Sequence, residues 1–106
     1  MTLVFRFVEE NFGPAGPYEI GSATWPGLAK LAEEAGELVQ VLAKLVGASG
    51  RETYYDGTDL RARLIEECGD VMAALAFFTS ANGLNADVAP RASQKLALFE
   101  RWHAEG

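Results

Sequence analysis

The stretch LAEEAGEL at residues 31–38 has a second, altered copy, LIEECGDV, at residues 64–71. When the two are aligned, apolar residues share positions, and each copy carries two glutamates followed by a glycine and a further acid. Apolar residues recur every three or four positions around both copies, which is the spacing of a buried helix face. Two copies are too few for a solenoid. The repeat therefore predicts two long helices that face each other.

Helix caps and breakers set the expected limits of the first long helix. Thr24 suits its N-cap and Pro26 its first turn, and Gly47 lies where the apolar pattern stops. The polar and aromatic residues 51–58 then predict a loop. The first helix is expected to begin near Thr24 and to be ended by Gly47 and Gly50.

Similar signals define two more helices. Asp59 is expected to cap the second helix, and Asn82-Gly83 suits a left-handed stop. The third helix is expected to begin at Asn85 or Asp87, with Pro90 in its opening turn. No convincing pair of strands competes with these helices.

The fold class that follows is all-α, a bundle of three to four helices within a single domain covering residues 1–106. Residues 24–104 form the expected helical core, and residues 1–23 an N-terminal segment and loop. An apolar run at 3–8 suits a short helix slightly better than a strand, so the conformation of residues 1–20 stays open.

Composition excludes several classes of function. A net charge of −6 argues against binding to nucleic acid. Cys68 is the only cysteine and His103 the only histidine, which excludes thiolate zinc clusters and paired-histidine di-iron sites. No apolar run reaches the roughly 20 residues that span a membrane, and the N-terminus lacks the features of a signal peptide. We therefore expect a cytoplasmic protein that binds no membrane.

The acids of the repeat fall on a helix face that becomes apolar further along, as Val41 and Leu45 in the first helix. We therefore expect the side chains to converge in a semi-enclosed crevice. Such a group of carboxylates requires raised pKa values, basic partners or a cation. Oxygen ligands without histidine or thiolate suit Mg²⁺, with Mn²⁺ as a substitute. The alternative interpretation is that these are ordinary surface acids. The converging residues are Glu34, Glu37, Glu67 and Asp70.

Gly36 and Gly69 occupy matching positions within the two copies. Glycine inside a helix costs about 1 kcal/mol relative to alanine, so its presence here calls for a reason. A residue without a side chain permits the close approach of a neighbouring backbone or of a ligand. The two glycines therefore leave room for either one at these positions.

The pair of motifs, Glu-Glu-x-x-Glu at 33–37 and Glu-x-x-Asp at 67–70, resembles the signature of the MazG-like all-α nucleoside triphosphate pyrophosphohydrolases. That group includes dimeric dUTPases, dCTP pyrophosphatases and phosphoribosyl-ATP pyrophosphohydrolases, and the likeness covers roughly residues 24–102. It implies Mg²⁺-dependent hydrolysis of a nucleoside triphosphate to a monophosphate and pyrophosphate, as a means of nucleotide-pool control. It also implies a helical bundle completed by homo-oligomerisation, as a homodimer or a dimer of dimers.

The resemblance assigns metal binding to Glu34, Glu37, Glu67 and Asp70. It places Glu33 beside the metal as a supporting or water-orienting acid, so that the candidate catalytic residues are Glu33, Glu34 and Glu37. Which glutamate accepts the proton of the attacking water stays open.

The resemblance also suggests where the substrate binds. Lys95 and Arg101 match the basic residues that contact the phosphates, although Phe99 stands where an asparagine is expected. The nucleobase pocket varies among relatives and often uses aromatic residues. The candidates here are Trp25, Tyr54 and Tyr55.

Two other functions remain as alternatives. One is a catalytically silent helical dimerisation or regulatory module that keeps the same architecture. The other is the phosphoribosyl-ATP pyrophosphohydrolase branch of the family. The presence of a carboxylate at all four ligand positions favours an active enzyme over the silent module.

Overall fold

The computed structural model describes residues 24–106, and this part of the chain contains helices but no strand. The all-α class predicted from the sequence is confirmed. The expected short element at 3–8 lies outside the described residues. The helices are α1 (Leu28–Gly47), α2 (Leu60–Ala81) and α3 (Asn85–Glu105).

The start of α1 differs from the prediction. The helix begins at Leu28 and not near Thr24, because Gly27 adopts a left-handed conformation with φ of 86°. A Cβ atom on Gly27 would lie only 2.8 Å from Cδ1 of Phe77, so the chain also approaches α2 too closely for a side chain. Residues 24–27 therefore form a turn against α2. The other end of α1, at Gly47, is where the sequence predicts it.

The ends of α2 follow the predicted signals. The side chain of Asp59 accepts a hydrogen bond of 3.0 Å from the backbone N–H of Ala62, which caps the helix. The chain leaves the helix through Asn82 and through Gly83, whose φ is 67°. The Asn82 side-chain amide donates to the carbonyl oxygen of Pro26 at 3.0 Å. This bond joins the end of α2 to the start of α1, so the two helices run antiparallel.

The α1–α2 contact holds the core of the described chain. Val41 is only 3% exposed, and Leu60 and Ala74 are buried as well. Val41 lies four residues after Glu37, and Ala74 four residues after Asp70, so the acids are on the packed faces of both helices. The expectation that the acidic faces become apolar and buried further along is met at these positions.

A second apolar face of α1 remains open. It is the broad stripe that includes Leu28, Ala32, Val39, Leu42 and Val46, and each of these residues is exposed. The side chains of Val39 and Val46 are 61% and 81% exposed. Helix α1 thus has two apolar faces, of which only the acid-bearing one is covered by α2.

Helix α3 makes few contacts with α2 and none with α1 within the described residues. Within residues 24–106 it contacts α2 at a few positions, and none of its Cα atoms lies within 8 Å of one in α1. Pro90 is inside the helix and not in its opening turn as predicted, so the helix forgoes one internal hydrogen bond. None of the three helices is apolar enough over a sufficient length to cross a bilayer.

The turn before α1 gives the first prediction. Gly27→Ala places a side chain at a left-handed position and against the ring of Phe77, so it should lower the free energy of unfolding by at least about 1–2 kcal/mol. Gly47→Ala is the matched control, because a Cβ there has open space and no positive φ. Thermal unfolding of the two variants beside the parent chain measures the difference. Equal melting temperatures for both would contradict the packing described for Gly27.

Candidate metal centre

Four carboxylates from α1 and α2 come together between the helices. Glu34 and Glu37 extend from α1, and Glu67 and Asp70 from α2. One oxygen of each side chain lies within 4.8 Å of the corresponding oxygens of the other three. The spacing of three residues within each pair places both acids of a helix on the same face. The antiparallel packing then sets the two faces opposite each other.

The cluster has a closed side and an open side. Glu67 is only 2% exposed, whereas Glu34 and Glu37 are half-buried. Asp70 is exposed. A small ion therefore has access from solvent past Asp70, while Glu67 forms the shielded floor of the cluster.

Two of the carboxylate oxygens are buried without a hydrogen-bond partner. They are Oε2 of Glu34 and Oε2 of Glu67. A buried polar atom without a partner costs free energy, and the cost is larger when the group carries a charge. A cation between the helices would supply both oxygens with a ligand bond, so the residues present fit a metal ion.

Burial and mutual repulsion perturb the titration of this cluster. Burial raises the pKa of Glu34 above its ordinary value, and the negative charges of Glu37 and Asp70 raise it further. Burial also raises the pKa of Glu67, with a further contribution from Glu37, while the guanidinium of Arg63 opposes the shift. Both shifts disfavour the ionised form, which is the form that binds a metal.

Arg63 is a charged residue of the site that the sequence interpretation missed. Its Nη2 lies 2.9 Å from Oε1 of Glu67, and its Nη1 lies 3.7 Å from Oε2 of Glu66. The sequence does contain a signal for this ion pair. Arg63 and Glu67 are four residues apart, and residues at that spacing lie side by side on a helix.

Glu33 lies outside the four-carboxylate cluster. Its Oε2 accepts a hydrogen bond of 3.1 Å from Nζ of Lys30, one helical turn earlier on α1. The residue is exposed. Its predicted part as a supporting acid stays a prediction, and the structure gives it a lysine as its present partner.

The two basic residues expected at the phosphates make their contacts within α3. Nζ of Lys95 lies 6.0 Å from the ring centroid of Phe99, and Nε of Arg101 donates to Glu105 at 2.9 Å. Within residues 24–106, α3 is remote from α1. Neither cation forms an ion pair with the four carboxylates within residues 24–106, and phosphate binding by them stays a prediction.

The three aromatic residues expected at the nucleobase do not share one pocket. Trp25 packs against Phe78, with ring centroids 6.2 Å apart, at the start of α1. Tyr54 and Tyr55 contact each other, with centroids 4.6 Å apart, beside a shallow cavity of about 360 Å³ at the end of α1. Because a helix of 20 residues is about 30 Å long, one base cannot contact both groups in a single chain.

The two glycines of the repeat have open space around them. A Cβ on Gly36 or on Gly69 would meet no atom within 4 Å among the described residues. Both positions are exposed. The expected close approach of a neighbouring backbone is therefore not found within the described part of the chain, and space for a ligand or a second molecule is present at both positions.

The donor set restricts the kind of ion that fits. The cluster offers carboxylate oxygens from four residues and neither an imidazole nor a thiolate. Such hard oxygen ligands favour Mg²⁺, Mn²⁺ or Ca²⁺ over zinc.

This chain matches no family model, no curated protein and no solved structure. The resemblance to MazG-like pyrophosphohydrolases therefore rests on the two motifs and on their order in the chain.

The raised pKa values of Glu34 and Glu67 give the second prediction. In the pH range between the ordinary and the raised values, the folded chain binds more protons than the unfolded chain, so stability falls as the pH rises. With chelator present, the melting temperature should increase as the pH is lowered from about 7.5 to about 5. Glu34→Gln should flatten this dependence, because it removes one of the two shifted groups.

Glu100→Gln is the control for the pH series, since Glu100 is an exposed glutamate of α3. It should leave the pH dependence of the melting temperature as it is in the parent chain. A parent chain whose melting temperature stays constant or falls over this range would show that the cluster does not destabilise the metal-free fold.

Proposed function

We propose that this protein hydrolyses a nucleoside triphosphate, NTP or dNTP, to a nucleoside monophosphate and pyrophosphate, with Mg²⁺ held by Glu34, Glu37, Glu67 and Asp70. The observation that carries the proposal is the pair of buried, unpartnered oxygens, Oε2 of Glu34 and Oε2 of Glu67, within a cluster of four carboxylates. The motif resemblance supplies the class of reaction.

The burial of the cluster supports a cation over the alternative of ordinary surface acids. Surface acids extend into water, where their charge is solvated and their pKa stays ordinary. Glu67 is almost completely buried, and the pKa of its carboxyl is raised together with that of Glu34. A fold that keeps such a group ionised needs positive charge beside it.

The chemistry assigns distinct parts to the residues. The oxygen of a water molecule forms a bond to the α-phosphorus, and the bond from that phosphorus to the bridging oxygen of the pyrophosphate breaks. A bound Mg²⁺ would act as a Lewis acid that offsets the charge of phosphate oxygens and lowers the pKa of water. The four carboxylates would hold the ion, and Glu33 lies one residue before Glu34 on the same helix. Lys95 and Arg101 are the candidate partners of the phosphates, whose negative charge they would offset.

A screen for pyrophosphate release over canonical and modified nucleotides, with and without Mg²⁺, tests the proposal. Asp70→Asn and Glu37→Gln should each lower turnover by at least about 100-fold. Each replaces a negatively charged metal ligand by a neutral amide, and the metal is what stabilises the charge of the transition state in the proposed reaction. Each should also reduce the rise in melting temperature on adding Mg²⁺. Glu100→Gln, which lies on α3 away from the cluster, should change neither quantity.

Three outcomes separate the candidate functions. If Asp70→Asn and Glu37→Gln both keep the activity of the parent chain, the assignment of the metal ligands is wrong, although the proposed class of enzyme stands. Turnover restricted to phosphoribosyl-ATP would favour that branch of the family. No turnover of any nucleotide, together with no effect of Mg²⁺ on melting, would favour the silent dimerisation module.

The proposed function includes association with a second copy, as a homodimer or as a dimer of dimers. The open apolar stripe on α1 supports this part, because its five exposed apolar residues run the length of a helix whose opposite face is already packed. Contiguous apolar surface of this kind marks an interaction site. A second copy offers the same stripe, and two such stripes cover each other in a symmetric contact. The other proposed partner is the nucleotide, and the proposed location is the cytoplasm.

Val39→Glu tests the association. Val39 is 61% exposed in the single chain, so a glutamate there leaves the fold intact but places a charge in the proposed contact. We expect the parent chain to have at least twice the mass of one chain in sedimentation or light scattering, and the variant to shift towards one chain.

The control for this experiment is the adjacent Gln40→Glu, which adds the same charge at an exposed position outside the stripe. It should keep the mass of the parent protein. If Val39→Glu and Gln40→Glu both keep that mass, the stripe on α1 is not the contact between copies.

A further inference from the structure

Arg63 contacts the four-carboxylate cluster directly through Glu67. Among the ion pairs formed within residues 24–106, the pair of Arg63 with Glu67 is the one that includes a member of the cluster. The pair joins a half-exposed guanidinium to a carboxylate that is 2% exposed. Arg63 is therefore paired directly with one of the four acids, while Lys30 adds a longer-range positive charge near Glu34.

The two oxygens of Glu67 have different environments. Oε1 lies 2.9 Å from Nη2 of Arg63, whereas Oε2 is buried and has no hydrogen-bond partner. An unpartnered oxygen on a side chain that is almost completely buried indicates, beyond the grouping of the acids, that the cluster receives a ligand. The guanidinium therefore already occupies one side of the carboxylate that forms the floor of the site.

We propose that Arg63 is an internal counter-ion of the metal-free cluster. A divalent cation that enters the cluster takes over this neutralisation of charge, and the nearby guanidinium lowers the affinity of the cluster for that cation. This inference rests on the cation site proposed above. It assigns a positioning residue that sets the affinity of the site, and Arg63 itself is not a ligand of the ion.

Two opposing effects decide the sign of the change when Arg63 is removed. Its loss frees the Glu67 carboxylate to rotate, which weakens cation binding by the entropy of one side chain. Its loss also removes a positive charge that would repel a doubly charged ion held by Glu67, which strengthens binding. The second effect is larger, because Arg63 lies 2.9 Å from a carboxylate that is only 2% exposed, where solvent screens the repulsion less than at the surface.

Calorimetric titration of Mn²⁺ into the metal-free 106-residue chain, without nucleotide, tests this directly. At about pH 8, where carboxyl groups of ordinary pKa are ionised, Arg63→Gln should bind Mn²⁺ about tenfold more tightly than the parent chain. Arg63→Lys keeps the charge and should bind with the affinity of the parent. The metal-free Arg63→Gln chain should melt at a lower temperature than the parent chain. Its melting temperature should rise by more than that of the parent chain when Mn²⁺ is added.

Arg61→Gln is the matched control. Arg61 lies two residues away on α2 and pairs with Glu52 at 3.2 Å, with both side chains well exposed. Its removal should leave the Mn²⁺ affinity unchanged. In the unmodified chain, the side-chain N–H resonance of Arg63 should shift on adding Mg²⁺, and that of Arg61 should not. This last measurement does not depend on the folding of any variant.

Each result either supports or overturns the inference. Unchanged or weaker Mn²⁺ binding by Arg63→Gln, with clear binding by the parent chain, overturns it and leaves the proposed cation site standing. An Arg63 resonance that does not respond to Mg²⁺ while the parent chain binds the ion also overturns it. A parent chain that binds neither Mn²⁺ nor Mg²⁺ overturns the cation site and this inference together.

Discussion

The burial of negative charge between α1 and α2 is the constraint on which the site depends. Glu67 lies in the helix contact together with Val41 and Ala74, which are core residues. Apolar packing around the acids removes water that would otherwise solvate them. The same contact that stabilises the helix pair therefore creates a demand for positive charge. Arg63 meets part of this demand, and a divalent cation is the ligand that would meet the rest.

The second constraint is the distribution of apolar residues around α1. One face carries the acids and packs on α2, and the other carries the open stripe that includes Val39 and Val46. A helix with two apolar faces needs a neighbour on each side. Because α3 does not approach α1 within residues 24–106, a second copy of the chain is the neighbour proposed for the open stripe. Under the two proposals, ion binding and association would use opposite faces of one helix.

The ends of the helix pair bear on how a substrate would be recognised. Trp25 packs on Phe78 at one end, and Tyr54 and Tyr55 lie at the other, with the carboxylates between them. Glu37 and Gly47 are ten residues apart, so the cavity beside the tyrosines is about 15 Å from the cluster along α1. Glu34 and the start of α1 are closer together. The geometry therefore separates the aromatic candidates into two distinct groups, and Trp25 belongs to the end nearer the cluster.

The sequence by itself determined the helical class, the cap at Asp59, the end of α1 at Gly47 and the placing of two acids on one face of each helix. These features depend on periodicity and on contacts between residues at most four positions apart. The tertiary structure decided the rest. The start of α1 depends on Phe77, which lies fifty residues after Gly27, and the choice between two apolar faces of α1 depends on the path of α2. Such features follow from which surfaces meet in space, and residue order along one helix does not specify that.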